Sequence, residues 1–230
     1  MTTSTVRAPA LSLSASLRLP IVERWLRRLA PASILEAGCG MGAMGYRLAG
    51  RYDYRGYEPD PTSYSVADKR IGARGIVINS AVPDLPDRTF DLVAAFEVLE
   101  HIEDDLAALQ GWVRWLAPGG HVIVSVPAHP ERFGPCDEAV GHCRRYTRDS
   151  LTSLLRSARL EVMAIESWGM PAGYALEAVR NRLAVRRRTE SPVGTAGSGR
   201  LYQPPTRLGR AVEWSLRPLA ALQTPFRSTD

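Results

Sequence analysis

Ile34-Leu35-Glu36-Ala37-Gly38-Cys39-Gly40-Met41-Gly42-Ala43-Met44-Gly45 decides the fold. An apolar start reaches an acidic residue, and glycines then alternate at positions 38, 40 and 42. Ser33 to Ala37 reads as a short buried strand, which the glycines turn sharply into a helix over Gly42 to Ala49. Lacking Cβ atoms, glycines reach left-handed backbone angles and let a ligand lie against the main chain. The helix that follows offers its unpaired N–H groups to that ligand. Cys39 lies inside the turn, where its small size is a sufficient explanation.

Working outward, Asp53-Tyr54-Arg55-Gly56-Tyr57-Glu58 reads as a second strand ending in a carboxylate, 22 residues after Glu36. A carboxylate there accepts two hydrogen bonds from ribose hydroxyls, as in nucleotide-binding α/β folds generally. Dinucleotide folds carry a glycine-rich turn too, but spaced G-x-G-x-x-G behind an apolar residue. Here the spacing is G-x-G-x-G behind Glu36. These two motifs, with the strand–helix order from about residue 20 to 168, resemble the class I S-adenosylmethionine-dependent methyltransferases. The resemblance implies a doubly wound, mostly parallel Rossmann-like sheet with helices on both faces. It also implies S-adenosylmethionine as cofactor, bound by Glu36, Gly38, Cys39, Gly40, Gly42 and Glu58.

The remaining elements agree with that order. Leu17 to Leu29 has helical spacing, with Leu19, Val22, Trp25, Leu26 and Leu29 on one face. Pro59-Asp60-Pro61 turns into a helix over Thr62 to Arg70, and Gly75 to Asn79 is a short apolar strand. The loop from Ser80 to Pro86 resembles the family's adenine-binding loop. Ser80 and Ala81 stand where the family usually has an acidic residue, so that contact falls to Asn79, Ser80 or the backbone. Phe90 to Phe96 is the fourth strand, Glu103 to Leu116 a helix ended by Pro118-Gly119-Gly120, and Gly120 to Val126 the fifth strand. Strands alternating with helices imply a parallel sheet, whose ligands bind beyond the carboxyl ends of the strands. Gly38–Gly42, Glu58, Ser80, Phe96, Glu97–His101 and Pro127 all fall at that edge.

The connection from Ala128 to Tyr146 is long enough to be a functional lid. Thr147 caps a helix to Ala158, and Leu160 to Ser167 reads as a sixth strand. Residues 172–185 look helical, 186–188 are a run of arginines, 189–205 a Gly/Pro/Ser-rich linker, and 207–222 an amphipathic helix broken near Pro218. Residues 223–230 offer no candidate for the antiparallel seventh strand that the family normally has, which puts the sheet's outer edge in doubt. The expected organisation is a disordered tail over 1–16, a methyltransferase domain over 17–172, and an Arg-rich helical extension over 173–230.

Charge is distributed unevenly. Residues 173–230 hold ten arginines against four acidic residues, whereas the first 172 carry 19 basic and 20 acidic residues. The near-neutral domain and the lack of an aromatic–basic stripe argue against nucleic acid as a partner. No run approaches the ~20 apolar residues of a membrane span. Three cysteines without C-x-x-C spacing point to a reducing cytoplasm rather than a disulfide framework.

Methyl transfer from a sulfonium is an in-line displacement, so the enzyme must mainly hold the nucleophile ~3–3.5 Å from the methyl carbon. A hydroxyl nucleophile must also give up its proton, and His101 and His142 are the candidate bases. Glu97-Val98-Leu99-Glu100-His101 resembles the metal-binding segment of small-RNA 2′-O-methyltransferases and of ubiquinone-biosynthesis O-methyltransferases. In the RNA enzymes a histidine from a second segment is the fourth ligand. Gly141-His142-Cys143-Arg144-Arg145-Tyr146-Thr147-Arg148 has a comparable layout. The resemblance therefore implies Glu97, Glu100, His101 and His142 as ligands of Mg²⁺, Mn²⁺ or Zn²⁺. An unassisted histidine base, or a purely structural role for all four, are the alternatives. Glu97 also belongs with Phe96 near the cofactor's methionine end. Arg144 and Arg145 are either a solvated pair or a grip on an anionic substrate group.

The sequence thus points to a cytoplasmic biosynthetic enzyme that methylates a hydroxyl of a small molecule. An RNA ribose methyltransferase, or a cofactor-binding domain whose tail docks weakly on a partner or membrane surface, are the rival readings.

Overall fold

In the computed structural model, the described residues are 8–169, 174 and 177–182. Five parallel strands form one sheet in the order β3-β2-β1-β4-β5. They are β1 (Ser33–Ala37), β2 (Asp53–Tyr57), β3 (Ile76–Ile78), β4 (Phe90–Phe96) and β5 (Leu116–Ser125). The order reverses between β1 and β4, so the chain leaves a crevice there at the carboxyl edge. β1 and β4 match their expected bounds. β5 starts earlier than expected because Pro118-Gly119-Gly120 forms an irregularity inside the strand, where the β4 register shifts between Phe90 and Leu92.

Alternation of side chains across the strands splits the core into two layers. Leu35, Ala37, Val93 and Ala95 face Leu109, Trp112 and Trp115 of α4 (Asp105–Trp115) and Leu151 and Leu155 of the helix over Arg148–Ser157. Ile34, Leu92, Ala94 and Phe96 face Val22 and Leu26 of α1 (Leu13–Leu29), Leu48 of α2 (Gly45–Leu48), and Ala67 and Ile71 of α3 (Pro61–Ile71). Glu36 has the same parity as Ile34 and is buried with this second layer.

Three expectations change. The first helix begins at Leu13 rather than Leu17, because the Ser12 side chain accepts from the Ala15 N–H and caps it. Ala10 and Leu11 ahead of the cap are buried, so the expected tail over 1–16 shrinks at its inner end. The buried face of α1 is Leu17, Arg18, Ile21, Val22 and Leu26, with an arginine inside the stripe. The sixth strand is not formed: residues 160–168 carry no ladder. Glu166 is taken instead by the Arg24 guanidinium and by the Trp25 indole N–H of α1 at 2.7 Å. Among the described residues β5 is therefore an edge of the sheet. The expected linker, the final helix and the search for a seventh strand lie outside the described residues.

The connection after β5 is a closed excursion rather than an open loop. Tyr146 N–H donates to the Pro127 carbonyl and His129 N–H to the Tyr146 carbonyl, so its two ends meet. Within it, α5 (Pro135–Val140) ends at Gly141 in the left-handed conformation. α6 (Arg148–Ser157) follows, capped by Thr147.

Candidate functional site

The glycine turn has the backbone expected of it. Gly38, Gly40 and Gly42 have φ of 62°, 54° and 73°. Cβ atoms at Gly38 and Gly42 would collide with Val98 at 2.7 Å and with the Ala67 backbone at 2.9 Å. At Gly40 a Cβ would meet nothing within 4 Å, so this glycine opens onto space at the carboxyl edge. Cys39, directed inward, is buried, and burial pushes its thiol pKa up.

Glu58 closes on the turn. Its Oε2 accepts from the Gly40 N–H at 2.8 Å and its Oε1 from the Asp60 N–H at 3.0 Å. Burial raises its pKa, while those two N–H donors pull it back down. Glu36 lies deeper and accepts from the Tyr54 hydroxyl at 2.7 Å. Burial lifts its pKa to about 7, against the pull of Tyr54 and Arg18. Asn79 donates to the Glu58 and Pro59 carbonyls, and Ser80 accepts from the Val82 N–H. Both side chains thus brace their own loop, and Ala81 is exposed.

The expected four-ligand cluster divides. One ligand atom each from Glu100, His101 and His142 lie within 4.8 Å of one another, and Glu97 is not in the group. At the end of β4 Glu97 has φ 58°, a conformation uncommon for a residue with a side chain. Its carboxylate accepts from the Ser125 hydroxyl at 2.8 Å and lies 3.4 Å from the Arg18 guanidinium. Glu97 is therefore held by β5 and α1 rather than by the histidines.

Glu100 is fully buried in the short turn after β4, and neither of its carboxylate oxygens has a hydrogen-bond partner. Burial, then Glu97, push its pKa well above the carboxylate range. His142 Nε2 is 3.7 Å from Glu100 Oε1. The two imidazole rings stand edge to face with centroids 4.7 Å apart. His101 Nδ1 is 3.1 Å from the Gly141 carbonyl, and His142 Nδ1 is 2.8 Å from Asp137 Oδ1. Both partners only accept, so Nδ1 is the donor on each ring and Nε2 is the atom turned toward the cluster. Burial, then the neighbouring His142, lower the His101 pKa, which keeps that ring neutral at neutral pH.

Asp137 organises the excursion. It accepts from His142, from Arg145 through Nε at 2.9 Å and Nη2 at 2.7 Å, and from the Gly134 N–H at 2.9 Å. Burial works against its charge, yet these donors hold its carboxyl well below the usual range. Arg145 also pairs with Glu177 at 2.9 Å, and Arg144 pairs with Asp105 at 2.8 Å. Both arginines make internal pairs, Arg145 buried and Arg144 half-buried.

Two residues of the candidate site were given no role by sequence reasoning. Arg18 is 6% exposed, with its Nη1 on Ser125 and Glu97 and its guanidinium 4.7 Å from the centre of the Phe96 ring. Its Nε has no partner. The available signal was an arginine at i, i+3 and i+4 from Ile21 and Val22, a charge in an apolar stripe. Asp137 had no such signal, since its partners are Gly134 just upstream and His142 and Arg145 downstream, brought together only when α5 forms. A cavity of about 690 Å³ opens beside Arg18, Glu97, Ser125 and His142, bounded by α1, β5 and residues 160–169.

A parallel sheet with this glycine turn, a carboxylate closing β2 and a cluster beyond β4 defines the class I methyltransferase fold. A family profile described as "Methyltransferase domain" matches residues 14–165, and the chain belongs to that family. It is 34% identical over 149 residues to a protein of Mycolicibacterium smegmatis described as a probable S-adenosylmethionine-dependent methyltransferase, covering 62% of this chain and 57% of that one. Over 117 residues it is 32% identical to the ubiquinone biosynthesis O-methyltransferase of Alkalilimnicola ehrlichii, covering 47% of each. The chain thus spans about half the length of these two relatives. The YcgJ protein of Bacillus subtilis shares the fold at 16% identity and a TM-score of 0.57, over 77% of this chain and 85% of that one. Among the described residues no helix is long and apolar enough to cross a membrane.

Proposed function

We propose that this chain transfers a methyl group from S-adenosylmethionine to a hydroxyl of a small-molecule acceptor. The observation that carries the reading is the shared edge. The glycine turn follows β1, Glu58 follows β2, and the cluster of Glu100, His101 and His142 lies beyond β4, all at the carboxyl end of one parallel sheet.

S-adenosylmethionine, when bound, supplies an electrophilic methyl on a sulfonium that leaves as a neutral thioether. Glu58 offers the remaining lone pairs of both oxygens to the ribose hydroxyls. Gly38, Cys39, Gly40 and Gly42 present backbone to the cofactor, with Ser80 and Ala81 at the base end. Glu36, Phe96 and Glu97 surround the amino-acid end, where Glu36 and Glu97 favour its positive charge. Arg18, left with an unpartnered Nε, favours its carboxylate.

The acceptor occupies the cavity beside His142, whose volume falls in the ordinary range for small-molecule pockets. His142 takes the hydroxyl proton at Nε2 while Asp137 keeps its Nδ1 protonated and its ring oriented. As the alternative to that base, the three-residue cluster suits a divalent cation, which would take up the same His142 Nε2. Two imidazoles and a carboxylate are a donor set for Zn²⁺ or Mn²⁺ more than for Mg²⁺, and each imidazole has an oriented Nδ1. Glu100, His101 and His142 would hold such an ion, which would supply Lewis-acid activation of the acceptor hydroxyl.

The test is turnover of labelled S-adenosylmethionine with a panel of phenols, alcohols, amines and an RNA oligonucleotide, with products identified by mass. O-methylated small molecules are expected. Methylation of amines or of RNA alone overturns the acceptor assignment. Loss of turnover in EDTA, restored by Zn²⁺ or Mn²⁺, is expected for the cation; full turnover in EDTA leaves the histidine base alone.

A further inference from the structure

Tyr54 is one of the largest fully buried side chains, and three glycines outside the cofactor turn are packed around it. It sits on β2 opposite Ile34, with its ring on the face shared by Glu36. Two residues on, Gly56 pairs with Glu36 across the β1–β2 ladder. The missing side chain at Gly56 leaves a gap on the strand, and the Tyr54 ring runs through it to bring its hydroxyl to Glu36 at 2.7 Å. A Cβ at Gly56 would stand 2.5 Å from that hydroxyl, and one at Gly45 of α2 only 2.3 Å from it. A Cβ at Gly75 would stand 2.9 Å from the ring carbon Cδ1. β2, α2 and the approach to β3 are thus all cut back to admit one phenol.

A phenol that served only to fill the core would not need its hydroxyl, and phenylalanine would avoid burying a polar atom. The hydroxyl has one charged acceptor here, the Glu36 carboxylate. We propose that Tyr54 is the positioning residue for Glu36, holding its carboxylate ionised and oriented to receive the cofactor's ammonium group. The proposal rests on Glu36 being a cofactor residue, as argued above.

The other groups facing Glu36 make this bond consequential. Arg18 from α1 favours its charge, Glu58 beyond β2 opposes it, and the buried Cys39 thiol of the turn lies close by. Burial dominates and brings the Glu36 pKa up to about 7, close enough to neutral pH that the Tyr54 hydroxyl bears on its charge. Removing the hydroxyl raises that value further. A Glu36 that is protonated cannot accept from an ammonium donor as a charged partner, and affinity falls with the ionised fraction.

The experiment measures S-adenosylhomocysteine affinity by calorimetry from pH 6 to 8.5 in wild type and Tyr54→Phe. 5′-Methylthioadenosine, which lacks the amino-acid portion, is the comparison ligand. A rise of about one unit in the Glu36 pKa makes the variant about fivefold weaker at pH 7 and within about 1.5-fold of wild type at pH 8.5. Methylthioadenosine should bind both proteins alike. Gly56→Ala, whose new methyl pushes the hydroxyl away, should give the same pH-dependent defect if Tyr54→Phe folds poorly. An unshifted pH profile, or an equal loss at every pH, overturns the role of Tyr54. Unchanged affinity in Glu36→Gln overturns instead the assignment of Glu36 to the cofactor, and the proposal with it.

Discussion

Replacing Asp137 by asparagine tests whether the excursion after β5 is a built part of the site. The carboxylate is 2% exposed and accepts four hydrogen bonds, two of them from Arg145, whose side chain is 8% exposed. Asparagine keeps the shape, removes the charge and turns an amide donor toward groups that donate. Breaking a buried pair while leaving its partner costs about 3–5 kcal/mol. Glu177 still faces Arg145, so the lower half of that range is expected. Against a total stability of about 5–15 kcal/mol, the variant folds but sits near its threshold. With a urea slope of about 2 kcal/mol/M, the unfolding midpoint should fall by roughly 1.5–2 M.

The pH dependence has a definite sign. The folded pKa of Asp137 is depressed, so its contribution is present above the unfolded value of about 4 and is lost as pH falls toward the folded one. The stability gap between wild type and Asp137→Asn should therefore be full at pH 7 and narrow below about pH 4. Urea melts followed by tryptophan fluorescence at pH 7 and pH 3.5 measure both. A gap below about 0.5 kcal/mol at pH 7, or one that widens in acid, refutes the argument.

Three further outcomes follow from the same geometry. Glu58→Ala should weaken S-adenosylmethionine binding by about 1.5–3 kcal/mol, and unchanged affinity in a folded variant removes Glu58 from the site. Gly40→Ala and Gly72→Ala share a φ near +55° and open surroundings, so thermal melts should show each losing about 1–2 kcal/mol; only Gly40→Ala should also lose cofactor affinity by calorimetry. Arg18→Met should move the pH dependence of S-adenosylhomocysteine binding upward, because a cation that favours ionised Glu36 is gone, and an unmoved profile separates Arg18 from the cofactor site.

The parts of this molecule legible in its sequence are those fixed by neighbouring residues. β1, the glycine turn and β4 follow from apolar runs bounded by glycine or charge, and their backbone is set within a few positions. The approach of His142 to His101 was anticipated only through resemblance, since 41 residues separate them and α5 must form to bring them together. Glu97 failed for a physical reason. The resemblance grouped it with Glu100, His101 and His142, but its backbone takes φ 58° at the strand end and its carboxylate meets Ser125 instead. The sixth strand failed because period-2 alternation cannot say whether a ladder partner is within reach. Leu160 to Ser167 has the composition of a strand, and Glu166 ties it to α1 instead.

The exceptions to ordinary burial rules gather at one place. Among the described residues Glu36, Glu58 and Glu100 are three of the six buried polar ones, and all lie at the carboxyl ends of β1, β2 and β4. Desolvation raises the pKa of each. Arg18 adds a buried cation whose Nε is unpaired, and Glu97 adds a backbone in an uncommon region. Each is unfavourable for folding by itself, and a stable core would replace them by apolar side chains. Their charges are complementary to a ligand that is cationic at its sulfonium and ammonium, anionic at its carboxylate, and rich in hydroxyl donors. On the proposed assignment, what the fold loses in stability along this edge it recovers when such a ligand binds, and the residues that make the apo protein less stable are those that give the cofactor its affinity.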